Sequence, residues 1–311
     1  MPLGAAKAAL FGAAGTSAGA AGQGYFGGGE TDGGNVTTID RFLFADDSRT
    51  TLGTGLEFAA YDQGAMASPV AGYFGGGSGG ATRVERFLFS DDSRTTLGTG
   101  LSAGTTRLAG MASLVAGYFG GGTSGGGPVD TVDRFLFSND SRTTLGTGLS
   151  TGHAISLMGF ASTVAGYFAG GANSSYVMQT TVDRFLFSDD SRTTLGTGLS
   201  ATTYRGGGCA SPIAGYVGGG YSGGDKDFID RFLFADDTRT TLDAGLSLAR
   251  RGIAAMASTA AGYFGGGYAG SGEGIVTTVD RFLFSDDSRT TLGTGLSAGR
   301  RNLAAMANLG A

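Results

Sequence analysis

Residues 131–150 read TVDRFLFSNDSRTTLGTGLS, and the chain writes that phrase six times with small changes. Its first arginine falls at Arg41, Arg86, Arg134, Arg184, Arg231 and Arg281, so successive copies lie 45, 48, 50, 47 and 50 residues apart. A repeat of this length marks stacked supersecondary units, none of which can bury its apolar face alone.

Each period divides into four short segments. Before the phrase comes a strand of the form GYFGGG, at residues 24–29, 72–77, 117–122, 166–171, 215–220 and 262–267. Its glycine run predicts a turn with positive φ at the strand end. In TTVDRFLF, Phe135 and Phe137 alternate with Val132, Arg134 and Leu136, as in a strand covered on both faces. A polar turn leads to RTTLGTGLS, read as the third strand. The fourth segment is made of small residues, IAAMAS at 253–258. Each copy carries one larger residue there: Met66, Met111, Phe160, Cys209, Met256 or Met306.

Four strands per unit and six units predict an all-β, six-bladed β-propeller with four antiparallel strands per blade. The small-residue strand belongs innermost, where the blades crowd the axis. Cys209 then fills a packing slot as an inert buried thiol. The chain ends in an inner strand and begins at a GYFGGG strand, so the C-terminal strand should complete the first blade and remove the open edges. The expected division is a propeller over residues 22–311 and an Ala/Gly-rich N-terminal arm over 1–21 that is free to reach a neighbour.

Composition limits the functions available. The formal net charge is -5, and lysine occurs only at Lys7 and Lys226. Of the 19 arginines that remain among 21 basic residues, 12 occupy two fixed repeat positions, so no nucleic-acid footprint is expected. One cysteine excludes an internal disulfide, and one histidine excludes most histidine-based metal sites. No apolar run approaches the ~20 residues of a membrane helix. The start lacks a basic n-region and a long h-region, so export by the ordinary secretory route is not expected.

The layout of Arg250 or Arg251, residues 254–258, Tyr263 to Gly267, Val279 to Phe284 and Thr290 to Leu296 resembles the kelch repeat over about 290 residues. It departs from that family where Leu52, Leu97, Leu145, Leu195, Leu242 and Leu292 replace the usual tryptophan. The near-verbatim Gly-rich copies are similar to kelch-like propellers of tailed-phage and other virus structural proteins. That resemblance implies a noncatalytic structural or adhesion component of a virion (tail, fibre or capsid-associated). Cytoplasmic or cell-surface placement is the alternative.

The repeated charges read as structural. The turns concentrate Asp46, Asp47, Asp91, Asp92, Asn139, Asp140, Asp189, Asp190, Asp236, Asp237, Asp286 and Asp287, each pair followed by an arginine (Arg49, Arg94, Arg142, Arg192, Arg239, Arg289). They partly resemble the Asp-box turn of sialidase-type propellers and are read as Asx turns on a solvated acidic rim. Calcium would need 6 to 8 convergent oxygens, and no metal or cofactor is expected. Asp40, Glu85, Asp133, Asp183, Asp230 and Asp280 stand beside the six phrase arginines. They are read as ion pairs with those neighbours, tying blade to blade.

A copper oxidase of the galactose-oxidase kind needs two histidines and a tyrosine crosslinked to cysteine, which His153 and Cys209 do not supply. No Ser/His/Asp or Cys/His arrangement can be built with force on one histidine. The chain is therefore read as not an enzyme, with a glycan-processing enzyme the weakest alternative.

Copies differ mainly in the loops after GYFGGG and in those leading to the inner strand, which share one face. That face collects Tyr61, Arg107, His153, Tyr176, Tyr204, Arg205, Tyr221, Lys226 and Tyr268, the candidate partner-binding residues. Amphipathic rings on loops of a rigid scaffold suit a neighbouring subunit, a host surface or, as a lectin-like alternative, a glycan.

Overall fold

In the computed structural model, which describes residues 22–79, 81–150 and 154–308, six four-stranded antiparallel sheets are arranged as blades around one axis. The second blade runs Gly64–Ala67, Ala71–Gly75, Val84–Leu88, Arg94–Thr96 from axis to rim. The first blade takes its inner strand, Ala304–Asn308, from the far end of the chain. That strand pairs antiparallel with Gln23–Gly27, setting Tyr25 opposite Met306. The arm over 1–21 lies outside the described residues.

The outer strand is shorter than the sequence reading. Only Arg-Thr-Thr pairs in each blade, as in Arg142–Thr144, and the following LGTGLS turns back toward the axis. A three-residue rim strand keeps the exposed edge small. The glycines behave as read where the second strand ends: Gly28 has φ 62° and Gly29 φ 99°.

At the axis the inner strands meet backbone to backbone. A methyl group on Gly110 would lie 2.0 Å from the Ala65 carbonyl oxygen, and one on Gly159 would lie 2.1 Å from that of Gly110. Only hydrogen fits at those two positions. The larger residue of each inner strand fills the gap between blades instead. Met66 sits over Gly117 of the next blade, Met111 over Gly166, Phe160 over Gly215 and Cys209 over Gly262. Cys209 is buried, and desolvation pushes its thiol pKa up, so the thiolate is disfavoured at neutral pH.

One polar device repeats at all six blade interfaces. The tyrosine of GYF donates its hydroxyl to the second aspartate of the next blade's turn, and the phrase arginine pairs with the same carboxylate. For the first interface, Tyr25 Oη lies 2.9 Å from Asp92 Oδ1 and Arg41 Nη1 lies 2.6 Å from Asp92 Oδ2. The others are Tyr73 and Arg86 on Asp140, Tyr118 and Arg134 on Asp190, and Tyr167 and Arg184 on Asp237. Tyr216 and Arg231 on Asp287, then Tyr263 and Arg281 on Asp47, complete the circle. The tyrosine ring also stacks on the next blade's last phrase phenylalanine, as Tyr25 does on Phe89 at 5.5 Å.

This corrects two sequence expectations. The phrase arginines do not pair with their chain neighbours, because adjacent strand residues point to opposite faces. Arg41 reaches forward to Asp92, while Asp40 faces back, accepting from the Ser297 N–H at 2.8 Å and from Thr51 Oγ1 at 2.7 Å. Nor do the turn acids form a uniform solvated rim. The first of each pair caps its turn, as Asp91 does on the Ser93 N–H. The second adopts φ near +56°, as in Asp92, and joins the interface.

The clamp has a spectroscopic consequence. Burial, then the adjacent carboxylate, raises the pKa of all six clamp tyrosines, to about 12 for Tyr73 and further for the rest. Their folded pKa exceeds the unfolded value near 10, so their contribution to stability is whole below pH ~10 and lost as pH rises through the folded value. In alkaline titration followed at 295 nm, six of the 11 tyrosines should ionise only together with loss of the folded circular dichroism signal. Smooth ionisation of all 11 near pH 10 in the folded chain would contradict the clamp.

Candidate functional site at the axis of the loop face

Where each loop enters an inner strand, one residue per blade reaches the axis: Asp62, Arg107, Ser156, Arg205, Gly252 and Asn302. All six are left-handed, with φ of 58°, 62°, 56°, 61°, 65° and 53°. Each donates its backbone N–H to the carbonyl of the one before. Arg107 bonds Asp62 at 2.7 Å, Ser156 bonds Arg107 at 2.9 Å and Arg205 bonds Ser156 at 3.1 Å. Gly252 on Arg205, Asn302 on Gly252 and Asp62 on Asn302 close the circle at 2.7, 2.7 and 2.8 Å. Five of the six carry side chains in a backbone region that non-glycine residues adopt at a cost, here met by the ring of hydrogen bonds.

These residues and the ones after them, Gln63, Leu108, Leu157, Gly206, Ile253 and Leu303, line a cavity of about 60 Å³. Its charged lining is Asp62, Arg107 and Arg205. Arg107 Nε lies 3.2 Å from Asp62 Oδ2, and its Nη1 donates to the Tyr176 hydroxyl at 3.0 Å. Burial raises the Asp62 pKa, against the opposing pull of Arg205 and Arg107. Arg205 Nε is buried without a hydrogen-bond partner, as are Ser156 Oγ and Gln63 Oε1.

Around the cavity runs a second ring where the two loop families bridge. Tyr204 pairs with Tyr221, Arg251 with Tyr268 and Arg301 with Glu30. Arg205 stacks on Tyr204 at 5.4 Å, Arg251 lies over Tyr221 at 4.9 Å and over Tyr268 at 4.6 Å, and Arg301 lies over Tyr268 at 5.7 Å. Asp225 and Glu30 anchor Arg251 and Arg301. The tyrosines are thus held in a ridge across neighbouring blades rather than standing free.

Of the residues expected from sequence, Arg107 and Arg205 reach the axis and Tyr176 touches Arg107. Tyr61, Tyr204, Tyr221 and Tyr268 are half-buried in the second ring, and Lys226 is half-buried with its N–H on the Gly220 carbonyl. His153 lies outside the described residues. Asp62, Gln63, Ser156 and Asn302 were not expected. Counting back four residues from the large inner-strand residue reaches the axial position in every blade, from Met66 to Asp62 and from Phe160 to Ser156. Among the described residues no group of three or more His, Cys, Asp or Glu side chains could hold a metal ion.

The fold and the axial cavity define a six-bladed β-propeller with a polar, asymmetric hub on its loop face. No family model and no curated protein matches this sequence. Among solved structures, that of YjhT superposes with a TM-score of 0.68 at 14% identity, covering 79% of this chain and 87% of that one. At that identity the likeness shows the fold.

Proposed function

We propose that the chain is a noncatalytic recognition propeller, a structural or adhesion subunit that engages its partner through the loop face. The observation that carries this reading is the axial ring. On a scaffold whose clamps repeat in every blade, the residues that meet at the hub are Asp, Arg, Ser, Arg, Gly and Asn. Repeated groups serve the scaffold, whereas one ligand meets one asymmetric set. The kelch-like, Gly-rich phrasing and its likeness to tailed-phage structural proteins make a virion part bound to a neighbouring subunit or a host surface the assembly in view.

A glycan is the favoured partner chemistry. Tyr204, Tyr221 and Tyr268 form a half-buried aromatic ridge around a polar cavity, and rings with polar neighbours pack against the C–H groups and hydroxyls of a sugar. The test is a glycan array read with the parent chain and with an Arg205→Met, Tyr268→Ala double variant. Signal that is lost in the variant supports the reading. Equal signal from both, or none from the parent, overturns the glycan assignment.

A further inference from the structure

We propose that the axial cavity is a carboxylate-binding site, in which Arg205 and Arg107 hold one carboxylate of a small ligand. The proposal rests on the reading of the loop face as a recognition surface and names the group that the hub recognises.

Three observations converge on it. The first is charge: two guanidiniums and one carboxylate line the cavity, leaving one positive charge without a counterpart. Arg107 is shared between Asp62 and Tyr176, whereas Arg205 lies within reach of the Asp62 field but makes no ion pair among the described residues. The second is unmet hydrogen bonding. Arg205 Nε and Ser156 Oγ are buried and unpartnered, and both residues line the cavity. Ser156 is 7% exposed. Buried polar groups are costly to leave unpaired, so two donors at one small site point to a missing acceptor. A carboxylate accepts from Arg205 and Ser156.

The third observation is size. A cavity of about 60 Å³ has room for a carboxylate with its first carbon. Any larger body of the ligand would meet Tyr204, which flanks the Arg205 guanidinium. Arginine pairs such as this favour planar carboxylates over spherical anions because each guanidinium can present two parallel N–H groups.

Asp62 gives the proposal a sharp sign. Its carboxylate competes with the ligand for Arg107, so neutralising it should strengthen binding, while neutralising Arg205 should weaken it. The experiment is a titration of the purified chain with sodium acetate, sodium glucuronate, glucose and a terminally blocked aspartyl tripeptide. Calorimetry and the Hε resonance of Arg205 report binding. Acetate and glucuronate should bind saturably and shift Arg205 Hε, and glucose should do neither.

Glucuronate bound more tightly than the aspartyl peptide assigns the carboxylate to an acidic sugar; the reverse order assigns it to a protein side chain. Arg205→Met should cost roughly tenfold or more in affinity, and Asp62→Asn should raise affinity several-fold. If Arg205→Met fails to fold, the gain in Asp62→Asn still decides the matter. Glucose binding as well as glucuronate, no saturable carboxylate binding, or weaker binding by Asp62→Asn overturns the proposal. Retained binding of neutral glycans on the array would show that this inference alone had failed, leaving the loop-face reading in place.

Discussion

Replacing Asp40 by alanine is expected to destabilise the chain by about 3–5 kcal/mol, the penalty for stranding a buried charge. Asp40 and Arg300 are both fully buried, with Arg300 Nη2 2.7 Å from Asp40 Oδ2. Arg300 Nη1 donates to the carbonyls of Gly28 at 2.9 Å and Thr38 at 2.8 Å, and its fully buried side chain has no route to water when Asp40 is removed. Asp40 in turn holds the Ser297 N–H and hydroxyl from the last loop, which means that one carboxylate ties the chain's two ends together. Urea unfolding should show the loss as a lower midpoint with an unchanged slope. An Asp40→Ala, Arg300→Leu double variant should recover part of the loss, since it removes both charges; a further loss in the double variant would contradict the assignment.

The same pair sets an acid limit. Burial alone would raise the Asp40 pKa, but the Ser297 N–H, the Arg300 charge and the Thr51 hydroxyl together hold it below the ordinary value. Asp280 is held low in the same sense by Arg250 and the Ser247 N–H, against its own burial. A depressed folded pKa contributes stability that is whole above the unfolded value near 4 and disappears as pH falls through the folded one. Asp40→Ala should therefore lose its disadvantage relative to the parent at the most acidic end of a stability profile.

Ending the chain at residue 303 is expected to abolish cooperative unfolding altogether. The deletion removes Ala304–Asn308, the inner strand of the first blade, and leaves Gln23–Gly27, buried along its whole length, with an unpaired edge. It also removes Met306, 3% exposed, from its place over Gly72. Burial of methionine is worth roughly 2–5 kcal/mol, and each ladder hydrogen bond adds roughly 0.5–1.5 kcal/mol. Their sum approaches the whole stability of about 5–15 kcal/mol typical of a folded domain. Calorimetry should show no sharp transition in the truncated chain. A transition within a few degrees of the parent's would mean that the first blade does not depend on the far end of the sequence.

The blade count and the closing strand were legible because they follow from spacing, and spacing survives the loss of all three-dimensional detail. Six phrase arginines and a terminal inner strand without its own GYF partner were enough. The partners of the repeated charges were not legible from adjacency. Asp40 and Arg41 are neighbours in the chain yet serve opposite interfaces, and only the pleat of the strand separates them. Asp92 looked like its exposed neighbour Asp91, but its left-handed backbone swings the carboxylate under Tyr25.

The hub was the least visible part. Its residues sit in loops of unequal length, so Asp62, Ser156 and Asn302 share no local motif, and their kinship appears only when counted back from the inner-strand methionine or phenylalanine. Arg250 and Arg300 are buried where Ala60, Thr105, Ala154 and Thr203 occupy the equivalent positions in other blades. Two blades thus use a charged clamp in a slot that the others fill with small side chains, and repeat averaging hides it.

A closed ring requires the strand Ala304–Asn308 to lie in the same blade as Gln23–Gly27, and a cysteine cross-link tests this most directly. Gln23 and Asn308 stand opposite each other across the closing pair of strands, so a Gln23→Cys, Asn308→Cys variant should form an intramolecular disulfide on mild oxidation. Peptide mass mapping would identify the bond, with Cys209 unreacted in its buried slot. Rapid, near-complete closure in native buffer and its loss in urea is the result expected of the closed ring. Free thiols at both positions, or disulfides formed only between separate copies, would contradict it.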